Sequence, residues 1–169
     1  MDFMAEFDAL YIPCHESLFR TALYYCSKYD VAEDLLQQTV LDAILHFPQL
    51  KEKAYFKTWI TRILINNFKQ YYRKIRSIET VSLDPDVSIS DDIDTVLESL
   101  FIQNLLKKLD DKYRKVVILK YINDMTISEI SQTLMIPQSS VKSRLYRALE
   151  KLKNDIDKDE VNVRERSCF

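Results

Sequence analysis

Between Gln138 and Lys153 the chain places Ser139, Ser140, Lys142, Ser143, Arg144 and Arg147 around an apolar line of Val141, Leu145, Ala148, Leu149 and Leu152. The line recurs at helical spacing, so the polar and basic residues take exposed or flanking positions of one helix. Arginine forks match guanine edges in a major groove, and serine or lysine can contact phosphate or base. The chemistry on offer is recognition of duplex DNA by a helix-turn-helix. The competing reading is a helical hairpin with a basic solvent face, since bare patterns of this kind are common.

A second group lies upstream. Residues 51–76 carry Lys51, Lys53, Lys57, Arg62, Lys69, Arg73, Lys74 and Arg76 against Glu52 alone. Tyr55, Phe56, Trp59, Phe68, Tyr71 and Tyr72 are interleaved with them, and Asn66, Asn67 and Gln70 add amides able to hydrogen-bond base edges. Such a surface suits single-stranded DNA. Stacking an unpaired base on an aromatic ring contributes about 1–3 kcal/mol, comparable to the cost of extruding that base from a duplex. Packing claims part of the group: Phe56, Trp59, Ile63 and Phe68 share a helical stripe, which assigns Trp59 and Phe68 to a core. Tyr71, Tyr72, Asn67, Gln70 and the loop from Phe47 to Ala54 remain for DNA.

Other chemistries find no constellation. The sequence contains no glycine, hence no glycine-rich phosphate loop, and neither a nucleophile with a nearby base nor a paired-carboxylate signature stands out. No enzyme activity, cofactor or metal is expected. Cys14, Cys26 and Cys168 are odd in number and far apart, while His15 adjoins Cys14 and His46 is remote, which suits reduced thiols. No apolar run approaches a membrane span, and Asp2, Glu6 and Asp8 stand where a signal peptide would carry lysines. A cytoplasmic protein without membrane insertion is expected.

Helices must position these groups. Without glycine, tight hairpins of the Asn-Gly kind are excluded, and an all-α fold of two small helical domains follows. Apolar periodicity predicts helices over Phe7 to Tyr29, Val31 to Phe47 (closed by Pro48) and Tyr55 to Arg73, enclosing one core. It lapses from Ser77 to about Asp94, where Asp84, Pro85, Asp86, Asp91 and Asp92 indicate an acidic linker, and resumes at Val96. Thr126-Ile127-Ser128-Glu129 is a capping-box pattern, and Ser139 or Ser140 is placed to cap the last helix. Met135 occupies a turn position that often requires a left-handed backbone, at a cost of about 1 kcal/mol or more if that shape is kept. Past Lys153 the charged, aperiodic tail is expected to fray. The boundaries are 1–76, a 77–95 linker, 96–153 and a disordered tail 154–169.

The net charge of −2 hides a sorting of charge along the chain. Residues 1–50 hold two basic and eight acidic residues, 77–111 two and nine, and 112–153 nine and three. Two basic blocks thus alternate with acidic ones. Each basic block could neutralise several phosphates, with steep dependence on salt.

Several runs resemble the extracytoplasmic-function (ECF) sigma factors of the sigma-70 type. Ala32-Glu33-Asp34-Leu35-Leu36-Gln37-Gln38-Thr39-Val40 is similar to the family's AEDLxQxxF motif, with Val40 for the usual Phe. Phe56-Lys57-Thr58-Trp59-Ile60-Thr61-Arg62-Ile63 and Asn66 resemble its FxxWLxxIAxN run, with Gln70 where many members have Asp. Leu109-Asp110-Asp111-Lys112-Tyr113-Arg114 resembles LPxxyR, Asp110 replacing Pro. Ile130, Ile136-Pro137, Val141-Lys142-Ser143-Arg144 and Arg147-Ala148 resemble EIAxxLgiPxgTVKSRlxRA, with Met135 and Ser139 in place of glycines.

The resemblance implies a sigma domain 2 that grips RNA polymerase core, at the clamp of the large subunit, through Glu33, Asp34, Leu35, Gln37, Gln38 and Asp42. It implies −10 recognition and melting through Lys53, Tyr55, Asn66, Asn67, Lys69, Gln70, Tyr71, Arg73, Lys74 and Arg76. A sigma domain 4, contacting the polymerase flap, would read −35 DNA through Ser139, Ser140, Lys142, Ser143, Arg144 and Arg147. Promoter DNA and an anti-sigma factor are the further partners it implies. A free-standing helix-turn-helix regulator and a protein-only adaptor or anti-sigma factor are the alternatives; the first binds DNA without polymerase, the second binds no DNA.

Overall fold

The computed structural model describes residues 3–78 and 101–166, with side chains over 3–75 and 101–156. The linker, the helical stretch expected from Val96 up to residue 100, the Arg76 side chain and Cys168 lie outside them. Helices α1 (Phe3–Cys26), α2 (Tyr29–His46) and α3 (Phe56–Ile78) form the first half, with two short 3₁₀ turns, Phe47–Gln49 and Lys53–Tyr55, between α2 and α3. The second half comprises the described part of α4 (residues 101–107), α5 (Asp111–Tyr121), α6 (Ile127–Leu134) and α7 (Gln138–Arg166).

The first core is the one that the three stripes predict. Phe7, Leu18 and Ala22 of α1 meet Ala32, Leu35, Leu36 and Ala43 of α2 and Phe56, Ile60 and Leu64 of α3. Burial of such side chains contributes about 1.5–3 kcal/mol each. The second core gathers Leu106, Leu109, Tyr113, Val116, Ile118, Leu119, Met125, Ile130, Val141, Leu145 and Ala148, and it also takes in Tyr24, Tyr25 and Ile65 from the first half. The two halves therefore touch. Arg62 of α3 donates to the Gln132 carbonyl of α6, and the Asn123 amide donates to the Thr61 hydroxyl at 3.3 Å.

A chain without glycine must turn its helices with ordinary residues. Ser27 (φ 58°), Asp124 (φ 49°) and Met135 (φ 55°) do so, between α1 and α2, α5 and α6, and α6 and α7 respectively. Ser27 is why α1 stops short of the expected Tyr29. Met135 keeps the left-handed shape that its position demands, with ψ 46°, and its side chain is 79 % exposed and has little packing to offset the strain. Met135→Gly is expected to stabilise the protein by about 0.5–1 kcal/mol, part of the relief being offset by the entropy of glycine in the unfolded chain. Thermal unfolding would register this as a rise of about 1–4 °C; a lower midpoint would contradict it.

Two expectations are corrected. Ser139 and Ser140 do not cap α7 from outside: the helix begins at Gln138, and the Pro137 carbonyl takes the Ser140 and Val141 amides at 2.9 and 3.1 Å. Both serines sit in the first helical turn, because Pro137 already supplies the entry. Nor does the tail lose structure at Asn154, since α7 continues to Arg166. With no proline or glycine there, nothing breaks the helix, and Asp155 lies where its charge acts on Lys151 one turn away. α3 likewise runs past the expected Arg73, to Ile78.

Candidate nucleic-acid interface

The last three helices form a candidate recognition unit with identifiable fasteners. The Arg114 guanidinium donates to the carbonyls of Leu106 (2.9 Å), Leu109 (3.0 Å) and Lys107 (3.3 Å), closing the C-terminal end of α4 against α5. Asp110, where the resembled LPxxyR motif has proline, adopts φ −56°, an angle proline would also take, and its carboxylate receives Lys151 at 2.9 Å. That pairing holds its carboxyl below the usual range. Both halves of the capping box form at α6: the Glu129 amide donates to the Thr126 hydroxyl at 3.2 Å, and the Thr126 amide to the Glu129 carboxylate at 2.7 Å.

Burial opposes the charge on Glu129, but the Thr126 amide and hydroxyl, with Lys57 and Lys120, bring its pKa below the ordinary 4.5. A lowered carboxyl stabilises the fold above its unfolded pKa, and that contribution disappears as pH falls through the native value. Glu129→Gln is therefore expected to lower the unfolding midpoint at pH 7, with the difference from the parent shrinking once pH falls below the ordinary 4.5 and vanishing past the lowered native pKa. A difference independent of pH would show that the carboxylate charge is not involved.

On α7 the structure leaves Ser139, Lys142, Ser143 and Arg147 exposed and Ser140 and Arg144 half-buried, all on the segment that follows the Met135 turn. They are not equally free. Arg147 donates to the Tyr113 hydroxyl and lowers its pKa, and the Tyr113 ring is flanked by Lys112 and Lys151 at 5.0 and 4.9 Å. The Ser143 hydroxyl donates back to the Ser140 carbonyl at 3.1 Å.

In the first half, residues assigned to two different tasks share one groove of about 840 Å³ between α2 and α3. Asp34, Leu35, Gln38 and Asp42 line one wall; Asn66, Asn67, Gln70, Tyr71 and Lys74 line the other. Asp42 bridges the walls, accepting from Asn67 at 2.8 Å and from Gln38 at 2.9 Å. Trp59 belongs both to the core, where its ring lies 5.8 Å from that of Phe56, and to the groove wall. His46 and Gln49 also line this groove, as sequence spacing alone could not show.

The remaining residues of these sets separate. Glu33 and Gln37 open instead on a smaller groove between α1 and α2, with Tyr11, Phe19 and Leu41. Leu35 is 5 % exposed and serves packing first. Lys53 stands 3.4 Å above the Phe47 ring and 3.7 Å from Glu6, while Tyr55 beside it is exposed. Lys69 and Arg73 turn away from the α2 groove, toward α5. Sequence reading missed that Arg62, Arg114 and Asn123 fasten elements together, although resemblance runs had included Arg62 and Arg114. Among the described residues no His, Cys, Asp and Glu cluster could hold a metal, Cys14 and Cys26 are free thiols, and no helix is long and apolar enough to cross a membrane. Burial raises the Cys26 thiol to about 11.

Comparison with known proteins follows this division. The family model for sigma-70 region 2 matches residues 10–78, and that for sigma-70 region 4 matches residues 102–152. The ECF RNA polymerase sigma factor SigW of Bacillus subtilis is 31 % identical over 140 residues, covering 74 % of this chain and 75 % of the relative. The chain belongs to the ECF sigma factors. This sigma factor is also similar to the RNA polymerase sigma-E factor of Streptomyces avermitilis, 26 % identical over 94 % of this chain and 89 % of that protein. Two solved structures share its fold at 24 % identity. One is CnrH in complex with the cytosolic domain of CnrY, with TM-score 0.72 over 90 % of this chain and 88 % of that one. The other is the sigma factor RpoE with the anti-sigma factor NepR from Bartonella quintana, with TM-score 0.71 over 89 % and 96 %. The α2–α3 groove falls in the region 2 match, and α5 to α7 through Leu152 in the region 4 match.

Proposed function

We propose that this sigma factor directs RNA polymerase core to its promoters from the cytoplasm, with one half gripping the polymerase and opening −10 DNA while the other docks at −35. The observation that carries the division is the groove that brings the acidic and amide residues of α2 opposite the amides and basic end of α3 on a single surface. Asp34, Gln38 and Asp42, with Glu33 and Gln37 around the helix, form the polymerase-binding side. Asn66, Gln70, Tyr71 and Lys74 face DNA, with Lys53 and Tyr55 on the preceding loop, and residues 77–95 bridge to the −35 half. Ser139, Ser140, Lys142, Ser143, Arg144 and Arg147 engage the −35 duplex. The chain positions DNA and polymerase, and catalysis belongs to the polymerase. An anti-sigma factor is the expected antagonist, by analogy with the solved RpoE complex.

Run-off transcription with purified core, with and without this chain, on a library of promoter fragments tests the reading. Initiation that needs both components is expected. DNA binding unaffected by core would identify a free-standing regulator, and binding to core without any initiation an adaptor. Within the proposal, Glu33→Ala combined with Asp34→Ala is expected to weaken association with core at least about tenfold by loss of charged contacts, with the isolated chain's thermal stability unchanged. Unaltered core affinity would remove α2 from the interface.

A further inference from the structure

The basic end of α3 works on two sides. Away from the α2 groove, Phe68, Lys69, Tyr72 and Arg73 face Asp111, Arg114 and Lys115 of α5 and Tyr25 of α1 around a third cavity, of about 420 Å³. It exists only where the two halves meet. Four cations and one carboxylate line it, and Lys115 pairs with that carboxylate, Asp111, one helical turn away. Arg114 is spent on backbone carbonyls, but its charge remains in the wall. Lys69 and Arg73, both exposed, have no ionic partner among the described residues.

Tyr25, which lines the cavity, also carries an unsatisfied buried hydroxyl. Tyr25 is 4 % exposed, and its hydroxyl makes no hydrogen bond among the described residues. Leaving such a group unpaired costs about 1–3 kcal/mol, so it calls for an acceptor. Burial drives its pKa well above 10, with Asp111 and Arg114 the nearest charges, so it remains a proton donor at neutral pH. The Phe68 and Tyr72 rings, 4.5 Å apart, supply an aromatic wall beside the cations.

A net positive cavity with an aromatic wall and a buried donor calls for a ligand that is anionic, planar and small. Its volume lies within the about 300–1,000 Å³ of small-molecule sites and exceeds what one phosphate fills. We propose that this interdomain cleft binds a nucleotide, its phosphates on Lys69, Arg73 and Lys115 and its base against Phe68 and Tyr72. Because the cations come from α3 and α5 together, the ligand clamps the two halves in contact and shifts the population toward that arrangement. If Lys69 and Arg73 serve −10 DNA, as the resemblance to ECF sigma factors implies, nucleotide and promoter compete for them.

Calorimetric titration of the full chain with ATP, GTP and inorganic pyrophosphate, at low ionic strength and without divalent metal, tests the site. One saturable site is expected, with at least one nucleotide bound more tightly than pyrophosphate. Arg73→Ala and Lys115→Ala are each expected to weaken it about tenfold, as loss of a charged hydrogen bond does. Lys115→Gln with Asp111→Asn separates loss of the cation from exposure of an unpaired carboxylate, and should still weaken binding. Tyr25→Phe, which keeps the ring, should weaken it less. Circular dichroism confirms that each variant is folded. Absence of saturable binding, or pyrophosphate bound as well as both nucleotides, overturns the proposal. So does sensitivity to Arg73 without sensitivity to Lys115, since a nucleotide or a strand held by α3 alone would behave that way. Core-dependent transcription does not enter these measurements, so their failure would leave the promoter reading standing.

Discussion

Phe47→Ala is expected to destabilise the protein by about 3–5 kcal/mol, the range for emptying a packed aromatic site, and a large share of the about 5–15 kcal/mol that folds a typical domain. The ring is 1 % exposed and lies 5.3, 5.5, 5.9 and 6.5 Å from the rings of Phe7, Phe3, Phe56 and Trp59. It also supports the Lys53 ammonium on its face. Removing it opens the first core at the point where the loop between α2 and α3 is anchored, so loss of stability and loss of promoter opening should appear together. Urea unfolding measures the first, and permanganate reactivity of unpaired thymines in the polymerase complex the second. Phe47→Leu, which keeps most of the volume, should restore much of the stability. A cost for Phe47→Ala below about 1 kcal/mol, typical of a surface site, would contradict the packing.

The second large effect is confined to recognition. Arg144 lies in the second turn of α7 without an ion pair among the described residues, so its guanidinium is available to a base edge. Arg144→Ala is expected to weaken holoenzyme binding to the promoter by about 1–3 kcal/mol, while stability shifts by less than about 0.5 kcal/mol. Arg147→Ala should differ, because Arg147 also holds the Tyr113 hydroxyl; there affinity and unfolding temperature fall together. Competition assays with intact and scrambled −35 duplexes provide the readout. Equal losses on both DNAs would make Arg144 a phosphate contact and remove it from base reading.

Helix periodicity made most of the fold legible. The stripes through Leu18, Leu35 and Ile60 predicted one three-helix core, and the Thr126 to Glu129 pattern predicted a capping box that forms with both hydrogen bonds. Boundaries shifted where backbone chemistry overrode hydrophobic spacing. Ser27 ends α1 by turning left-handed, and Pro137 starts α7 before the serines that looked like caps. The tail was misjudged because loss of apolar periodicity was equated with loss of helix, although a charged helix continued from a packed one needs no apolar stripe of its own. The proposed recognition sets could be drawn from the sequence as groups and not as surfaces. Spacing could place Asn67 and Asp42 on different helices but could not show that they hydrogen-bond, nor that Lys69 and Arg73 leave the groove of Asn66 and Gln70. Contacts between sequence-distant elements, such as Arg62 with Gln132, leave no periodic trace.

α3 is a wall shared by everything around it: Leu64 packs in the first core, Ile65 in the second, Asn67 holds α2 and Arg62 holds α6. The two halves are consequently not interchangeable modules, even though each matches its own family region. A chimera joining the first half of this chain to the second half of a relative would inherit two sound cores and a mismatched seam. Any drift in the face of α3 that carries Thr61, Arg62 and Ile65 has to be answered on Asn123, α5 or α6, so that recombination within the linker is constrained by residues that touch neither DNA nor polymerase.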